Sequence, residues 1–325
     1  MITRIKLEDP HTSQQAMDAW LAERKKSIGG SEIGTIMGTN QFQSPYALWC
    51  ERTGKTPAFE GNLATEIGTF LEPFVADKFT RETGIELEKT DDIWRNDLYP
   101  VIHATPDRIC KNQRAGLEIK TTDYLNTEAF HGVRFPAKYY WQCVQYMAVC
   151  EMNTWYLAVL VANRELHIYQ LVRDMSIPQD ARAETCIYVD ESEINNMYRT
   201  AEDFWSCIQR DTPPPMDGSA ATAEALGKQY PTSSKRRCVL PGCEGLFGDY
   251  RMLRNQAEMI SKQIEAIKNE VKGLMQDAEV GTVGCYKATW VTSEKKGFDV
   301  ERCIRENPNM ARYRTSTSIR RFTMD

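Results

Sequence analysis

No stretch of this 325-residue chain approaches the ~20 consecutive apolar residues of a membrane-spanning helix. The first residues, MITRIKLEDPHTSQQ, lack the apolar segment of a secretory leader. Basic charge is not in excess either. Lys and Arg number 40 against 45 Asp and Glu, for a net charge of −5 and an isoelectric point of about 5.6. That balance argues against a surface that coats nucleic acid broadly. It leaves room for local basic segments at Arg24-Lys25-Lys26, Lys235-Arg236-Arg237 and Arg320-Arg321. The four histidines, His11, His103, His131 and His167, do not cluster. The ten cysteines are scattered, and the nearest pair, Cys238 and Cys243, matches no common zinc spacing. Such cysteine usage is that of a reduced, cytosolic protein. No internal repeat is visible. With 42% hydrophobic and 26% charged residues, the composition is that of a soluble globular protein with a full core.

The pattern divides the chain into residues 1–210, a linker over 211–242 and a module over 243–325. The first part alternates helical and strand patterns, an α/β (α+β) arrangement. Helices are expected over Asp18–Arg24, from Ser31 (an N-cap after Gly29-Gly30) to Met37, and from Asn62 to the Gly84 stop. The last of these turns Leu71, Phe74 and Val75 to the core. Strands are expected near Ile93–Trp94, Val101–Ala104 and Leu117–Thr121. A helix follows over Ala137–Val149, then a hairpin of 155–162 and 165–172 around Asn163-Arg164, and a closing helix over Ile194–Ile208. Pro213-Pro214-Pro215, Gly218 and Ser233-Ser234 give residues 211–242 a linker's composition, with a short helix at Ala221–Gly227. Beyond it, Leu253, Ala257, Ile260, Ile264, Ile267, Val271 and Leu274 step alternately by 4 and 3, a heptad seam. Gly281–Thr292 alternates like a strand pair with Trp290 on one face, Phe298–Glu306 reads as a helix and Ser316–Phe322 as a strand.

Chemistry concentrates in ATPDRICKNQRAGLEIKTT. Strand side chains alternate, so Glu118 and Lys120 share one face and Ile119 takes the other. If Asp107 ends a neighbouring strand, two carboxylates and one ammonium converge. Carboxylate oxygens suit Mg²⁺, which keeps waters for chemistry, and burying such charges without a metal or partner is costly. A bare Asp…Glu-x-Lys also occurs as a solvated salt bridge, so neighbours matter. Glu72 lies on a helix otherwise turned to the core, and Gln142 offers an amide that can orient a water or a phosphate oxygen. His103, four residues before Asp107, is read first as a packing residue. Gly29-Gly30-Ser31 opens a helix whose free N–H groups suit an anion, and Arg24 is a candidate phosphate contact beside it.

Taken together, IGGSEIGTIMGTNQFQSPYALWCERTGK, ATEIGTFLEPFVADKFTRETG, HATPDRIC, GLEIKTT, YYWQCVQYMAV and WYLAVLVANRELHIYQLVRD resemble the YqaJ-type viral recombinase family. These are relatives of phage lambda exonuclease in the PD-(D/E)xK nuclease superfamily, and the resemblance covers about residues 20 to 215. It implies a restriction-endonuclease-like core, a mixed central sheet flanked by helices, followed here by the module with the long heptad helix and short strands. It also implies a catalytic set of Asp107, Glu118, Lys120, Glu72 and Gln142. In that set Asp107, Glu118, Glu72 and the Ile119 carbonyl hold metal, and Lys120 orients or deprotonates the attacking water. Arg24 and Ser31 grip a terminal 5′-phosphate. Asp97 matches a further acidic position less well, and spacing leaves Gln145 a rival to Gln142.

The expected activity is a Mg²⁺-dependent 5′→3′ exonuclease on ends of linear double-stranded DNA, with Mn²⁺ able to substitute and two ions per site ~4 Å apart. Its product is a 3′ single strand for a single-strand annealing recombinase. The family implies a homo-oligomer, for instance a ring trimer, in the cytoplasm of a bacterium or phage-infected host. Rival readings are a related nuclease of other polarity or endonucleolytic action, of the CRISPR-adaptation or RecB-like kind, and a DNA-binding recombination scaffold with a dead site. The cysteine spacing offers no iron–sulfur cluster of the sort several of those relatives carry, and intact Asp107, Glu118 and Lys120 argue against the scaffold. For the last hundred residues the resemblance implies nothing. Binding the annealing partner, extending the oligomer, contacting single-stranded DNA through Trp290 and Lys295-Lys296, and plain packing all stay open.

Overall fold

The computed structural model describes residues 1–10, 12–122, 130, 132–173, 185–234, 236–294, 297, 299–315 and 323–324. The expectations for His11, His131, Lys235, Lys295-Lys296, Phe298, Arg320-Arg321 and the strand over Ser316–Phe322 fall outside them. The chain divides into two compact units, Met1–Tyr230 and Pro231–Asp325.

The first unit runs β1 (Ile2–Ile5), α1 (Gln14–Arg24), α2 (Gly30–Ile36), α3 (Pro45–Arg52), α4 (Leu63–Thr83), β2 (Leu87–Lys89), β3 (Ile93–Asn96), β4 (Arg108–Cys110), β5 (Ala115–Thr122), α5 (Ala137–Cys150), β6 (Thr154–Val161), β7 (Glu165–Val172), β8 (Cys186–Tyr188), α6 (Glu191–Gln209) and α7 (Ala220–Gln229). Its architecture is mixed α/β, with a six-stranded sheet in the order β2-β4-β5-β6-β7-β8 flanked by helices. β5 pairs parallel with β6, and α5 forms the crossover between them, as a parallel pair requires. β4 runs antiparallel to β5, and β6 to β7. Ala162 and Asn163 turn the β6–β7 hairpin with φ of 49° and 55°. That is the left-handed pair that lets a tight turn follow the strand twist.

Alternation along β5 and β6 separates two apolar clusters. Leu117, Ile119, Ala158 and Leu160 pack on Val75, Ala76 and Phe79 of α4. Leu157, Val159 and Val161 join a larger cluster with α2, α3, α5 and α6. The Asn62 side chain caps α4 by accepting from the Thr65 N–H at 3.1 Å, and Gly84 ends the helix with φ 73°. α6 starts at Glu191, ahead of the expected Ile194. Asp190 accepts from the Ser192 N–H at 2.7 Å, and Glu193 returns a bond to the Asp190 N–H at 2.9 Å.

Several expectations change. Phe74 is 52% exposed rather than a core residue, because the face of α4 on the sheet is that of Val75, Ala76 and Phe79. Val101–Ala104 is not a strand: it contributes single bridges from Ile102 to Ile28 and from Ala104 to Trp94. Ser31 is not a cap. Gly29 holds that position and its N–H donates to Glu32 at 2.8 Å, which leaves Ser31 inside the first turn. The first unit also runs past residue 210, where linker composition begins. Helix α7 carries Thr222, whose hydroxyl bonds buried Ser44 at 2.7 Å, and Gln229, which accepts from the Tyr46 hydroxyl at 2.6 Å.

The second unit holds α8 (Glu244–Met275), the antiparallel pair β9 (Val280–Val283) and β10 (Tyr286–Thr289), α9 (Val300–Glu306) and a 3₁₀ turn over Pro308–Tyr313. Among the described residues, no helix is long and apolar enough to cross a membrane.

Candidate active site

Asp107 immediately precedes β4. The register there, Arg108 opposite Leu117, brings it alongside the Glu118–Lys120 stretch of β5. Its Oδ2 accepts the Ile119 N–H at 2.7 Å. The main-chain contact of Ile119 with Asp107 is therefore its N–H, while the expected metal-binding role belonged to its carbonyl. Ile119 points into the α4 cluster, so Glu118 and Lys120 face the other way, toward α5.

Glu118 is 1% exposed, and its two oxygens are in different situations. Oε1 accepts from Lys120 Nζ at 2.5 Å and from Gln142 Nε2 at 2.5 Å. Oε2 is buried with no partner. Gln142 also donates to the Tyr146 hydroxyl at 3.2 Å, and that hydroxyl lies 3.2 Å from Thr105 Oγ1. Gln145 faces elsewhere, donating to the carbonyls of Ile28 and His103 at 3.1 and 2.8 Å. Geometry thus separates the two glutamines: Gln142 touches the acidic strand, and Gln145 stitches together two irregular segments.

Glu72 lines the same cleft, about 380 Å³ in volume, with Asp107, Lys120, Gly68 and Thr121. Its carboxylate is engaged by Arg108, whose Nη1 donates to Glu72 Oε1 at 2.5 Å and to the Asp107 carbonyl at 2.6 Å. A larger cleft of about 1150 Å³ shares Ala64 and Thr121 with the first and is lined by Phe42, Lys138, Tyr139 and Arg164, among others.

Burial, reinforced by the charge of Glu118, pushes the Asp107 carboxyl well above the ordinary carboxylate range. Burial also raises Glu118, against the pull of Lys120. For Lys120, burial acts downward, but the negative charges of Glu118 and Asp107 outweigh it and hold the ammonium above the usual lysine range. Buried Glu118 and half-buried Asp107 face the half-buried ammonium of Lys120, two carboxylates to one ammonium with one unpartnered oxygen. Among the described residues, no three His, Cys, Asp or Glu side chains are grouped to hold a metal ion. The Asp107–Glu118 pair with its orphaned Oε2 nevertheless has the hard oxygen donors and the uncompensated charge that fit Mg²⁺.

Arg24 ends α1 with its guanidinium over Trp20 at 4.3 Å. Its Nη2 and His103 Nε2 each lie 3.2 Å from where a Cβ on Gly29 would stand, two residues before exposed Ser31. Arg24 is close enough that its charge helps stabilise the Glu118 carboxylate. Asp97 is not part of the constellation: it is exposed after β3 and pairs with the Met1 ammonium at 3.2 Å. The residue pattern did not single out Arg108 or Tyr146. Arg108 adjoins Asp107 and Tyr146 stands one turn after Gln142, so adjacency and helical spacing were the available signals.

Residues 19–153 match the model of the YqaJ-like viral recombinase domain. Over this segment the chain is similar to the YqaJ-like viral recombinase family. The matched segment contains Arg24, Ser31, Glu72, Asp107, Glu118, Lys120 and Gln142. A Bacillus subtilis (strain 168) relative, the uncharacterized protein YqaJ, is 27% identical over 317 residues, covering 95% of this chain and 94% of its own length. The likeness therefore extends beyond the YqaJ-like domain into the second unit. Among solved structures, LHK-Exo, an alkaline exonuclease from Laribacter hongkongensis, superposes with a TM-score of 0.43 at 18% identity, over 60% of this chain and 97% of that one. LHK-Exo in complex with dAMP gives 0.46 at 19%, over 60% and 93%. A phage related exonuclease from Haemophilus somnus 129PT gives 0.41 at 12%, over 57% and 96%.

Proposed function

We propose that the first unit is a Mg²⁺-dependent deoxyribonuclease acting on the ends of linear double-stranded DNA in the 5′→3′ direction. Its product would be a 3′ single strand for an annealing recombinase. The observation that carries the reading is the convergence of Asp107 and Lys120 on buried Glu118, whose Oε2 has no partner. Asp107 and Glu118 would hold the cation. When bound, it supplies charge neutralisation at the phosphodiester and a water acidic enough to attack.

The chain's own residues do the rest. Gln142 and Lys120 clamp one oxygen of Glu118, which leaves the other to face the cation. Lys120 keeps its proton because two carboxylates hold it, so it acts first as a fixed positive charge beside the scissile phosphate. Arg108 restrains Glu72 at the cleft wall. Arg24 and Ser31, on either side of Gly29 in the sequence, would receive a terminal phosphate, which would turn cleavage into degradation from an end. Lys138 and Arg164 line the adjoining larger cleft, where a strand's backbone would need positive charge.

The test uses the purified full chain on end-labelled linear duplex with Mg²⁺ or EDTA. The expected result is Mg²⁺-dependent release of nucleotides from 5′ ends. It should fall on the order of 10²–10³-fold in Lys120→Ala and be faster on 5′-phosphoryl than on 5′-hydroxyl ends. No release, or release undiminished in Lys120→Ala, sinks the nuclease assignment. Equal rates on the two ends remove the role given to Arg24 and Ser31.

A further inference from the structure

Helix α8 spans 32 residues, and not one of them is buried. Helices in proteins draw most of their stability from packing an apolar face, and among the described residues that face of α8 is exposed. Leu246, Leu253, Ile260, Ile267 and Leu274 recur every seven residues and are 54–85% exposed. Ile264 and Val271 fill the intervening column, so the stripe is a complete a/d seam with Tyr250, Ala257, Ile264 and Val271 at a. At about 1.5 Å per residue it runs roughly 48 Å.

We infer that α8 is a coiled-coil strand whose partner is α8 of a second copy of this chain, parallel and in register. The flanking charges choose both occupant and direction. In this register Asp249 occupies g and Arg254 the following e, the two positions that meet across a parallel seam. Among the described residues, neither has an ion-pair partner within its own chain, whereas Lys262, Lys268 and Lys272 pair with Glu258 and Glu265 along the helix. The remaining g-to-e pairs, Gln256 with Ser261, Gln263 with Lys268 and Glu270 with Met275, place no like charges together. Reversing one copy sets e against e, and Arg254 then meets Lys268. With Asp249 and Glu270 at g and Arg254 and Lys268 at e, one edge is acidic and the other basic, the complement that a second copy supplies.

Mass measurements on the full chain test this and do not depend on whether the first unit cuts DNA. Sedimentation equilibrium at micromolar concentration should return a multiple of the 37.3 kDa chain mass. Ile260→Lys with Ile267→Lys should lower it while leaving helix content by circular dichroism unchanged or slightly reduced. Asp249→Arg should weaken association on the order of 2- to 10-fold, the scale of exposed ion pairs counted twice. Adding Arg254→Asp should restore it. A wild type at the mass of one chain, or a mass unmoved by the double lysine variant, overturns the coiled coil. Failure of Arg254→Asp to rescue Asp249→Arg overturns the parallel register.

Discussion

Replacing Asp107 by Asn should make the metal-free protein more stable while abolishing its response to Mg²⁺. Two effects compete. If Asp107 were the main partner of Lys120, removing its charge would leave a half-buried ammonium uncompensated and cost up to about 3–5 kcal/mol. Lys120, however, keeps Glu118 at 2.5 Å, so the ammonium stays paired. The charge removed is the surplus one, the carboxylate that burial and Glu118 already push toward its protonated form. Asn has nearly the same volume, and its carbonyl oxygen can still accept the Ile119 N–H. The net effect should be stabilising by about 1–2 kcal/mol, as is common when a functional site's unfavourable charge is relieved. For a unit of this size, each kcal/mol moves the midpoint by about 2–4 °C, so the shift should be roughly 2–8 °C upward in EDTA. Mg²⁺ at 100 times its dissociation constant should stabilise the wild type by about 2.7 kcal/mol and leave the variant nearly unmoved, closing or inverting the gap. Differential scanning calorimetry of both proteins with and without the metal reads all four values. A variant less stable than wild type in EDTA, or one retaining the full Mg²⁺ shift, refutes the reasoning.

Two further outcomes are expected. Gly30→Ala should destabilise by about 1–2 kcal/mol in urea unfolding. The added Cβ would lie 2.2 Å from Cε1 of buried Tyr146, an overpacking penalty of about 1–3 kcal/mol that exceeds the gain of under about 1 kcal/mol from better helix propensity; an unchanged or higher midpoint would contradict this. His103 is fully buried, and burial together with Arg24, Arg95 and Arg52 holds its pKa well below the ordinary value of 6.5. The unfolded chain therefore binds the extra proton first: the contribution to stability is complete above pH 6.5 and is lost as pH falls from there toward the folded-state pKa. Its slope is at most about 1.4 kcal/mol per pH unit. The stability of His103→Gln should fall less steeply than wild type between pH 7 and 5 in parallel urea titrations, and identical slopes would remove the claim.

The parts of the site legible in the sequence are those fixed by backbone periodicity. Glu118 and Lys120 share a face because strands alternate, and Asp107 reaches them because the turn between β4 and β5 is short. Gln142 was legible as a candidate but not separable from Gln145, since both lie on the buried side of α5 and only the neighbours across space distinguish them. Glu72 illustrates the opposite case. Its helix was readable from Asn62 to Gly84, but its rotation was not. The sequence pattern turns Phe74 inward, whereas it is exposed, and the Arg108 contact of Glu72 has no sequence signal beyond adjacency to Asp107.

Long-range contact also explains Ser31 and Gly30. A glycine pair before a serine reads locally as an N-cap, yet Gly30 lies inside the helix because the Tyr146 ring, 116 positions away, occupies the place of a side chain. Tyr146 connects the two regions. Its hydroxyl accepts from Gln142, which holds Glu118, and its ring forbids a Cβ at Gly30, next to Gly29, where Arg24 approaches. The acidic strand and the α2 terminus are thus braced by a single buried aromatic. In the proposed exonuclease, core packing at Tyr146 thus bears on both the Asp107–Glu118 site and the Arg24–Gly29 region. Substitutions at Tyr146 that keep the ring but remove the hydroxyl should separate orientation of Gln142 from that packing.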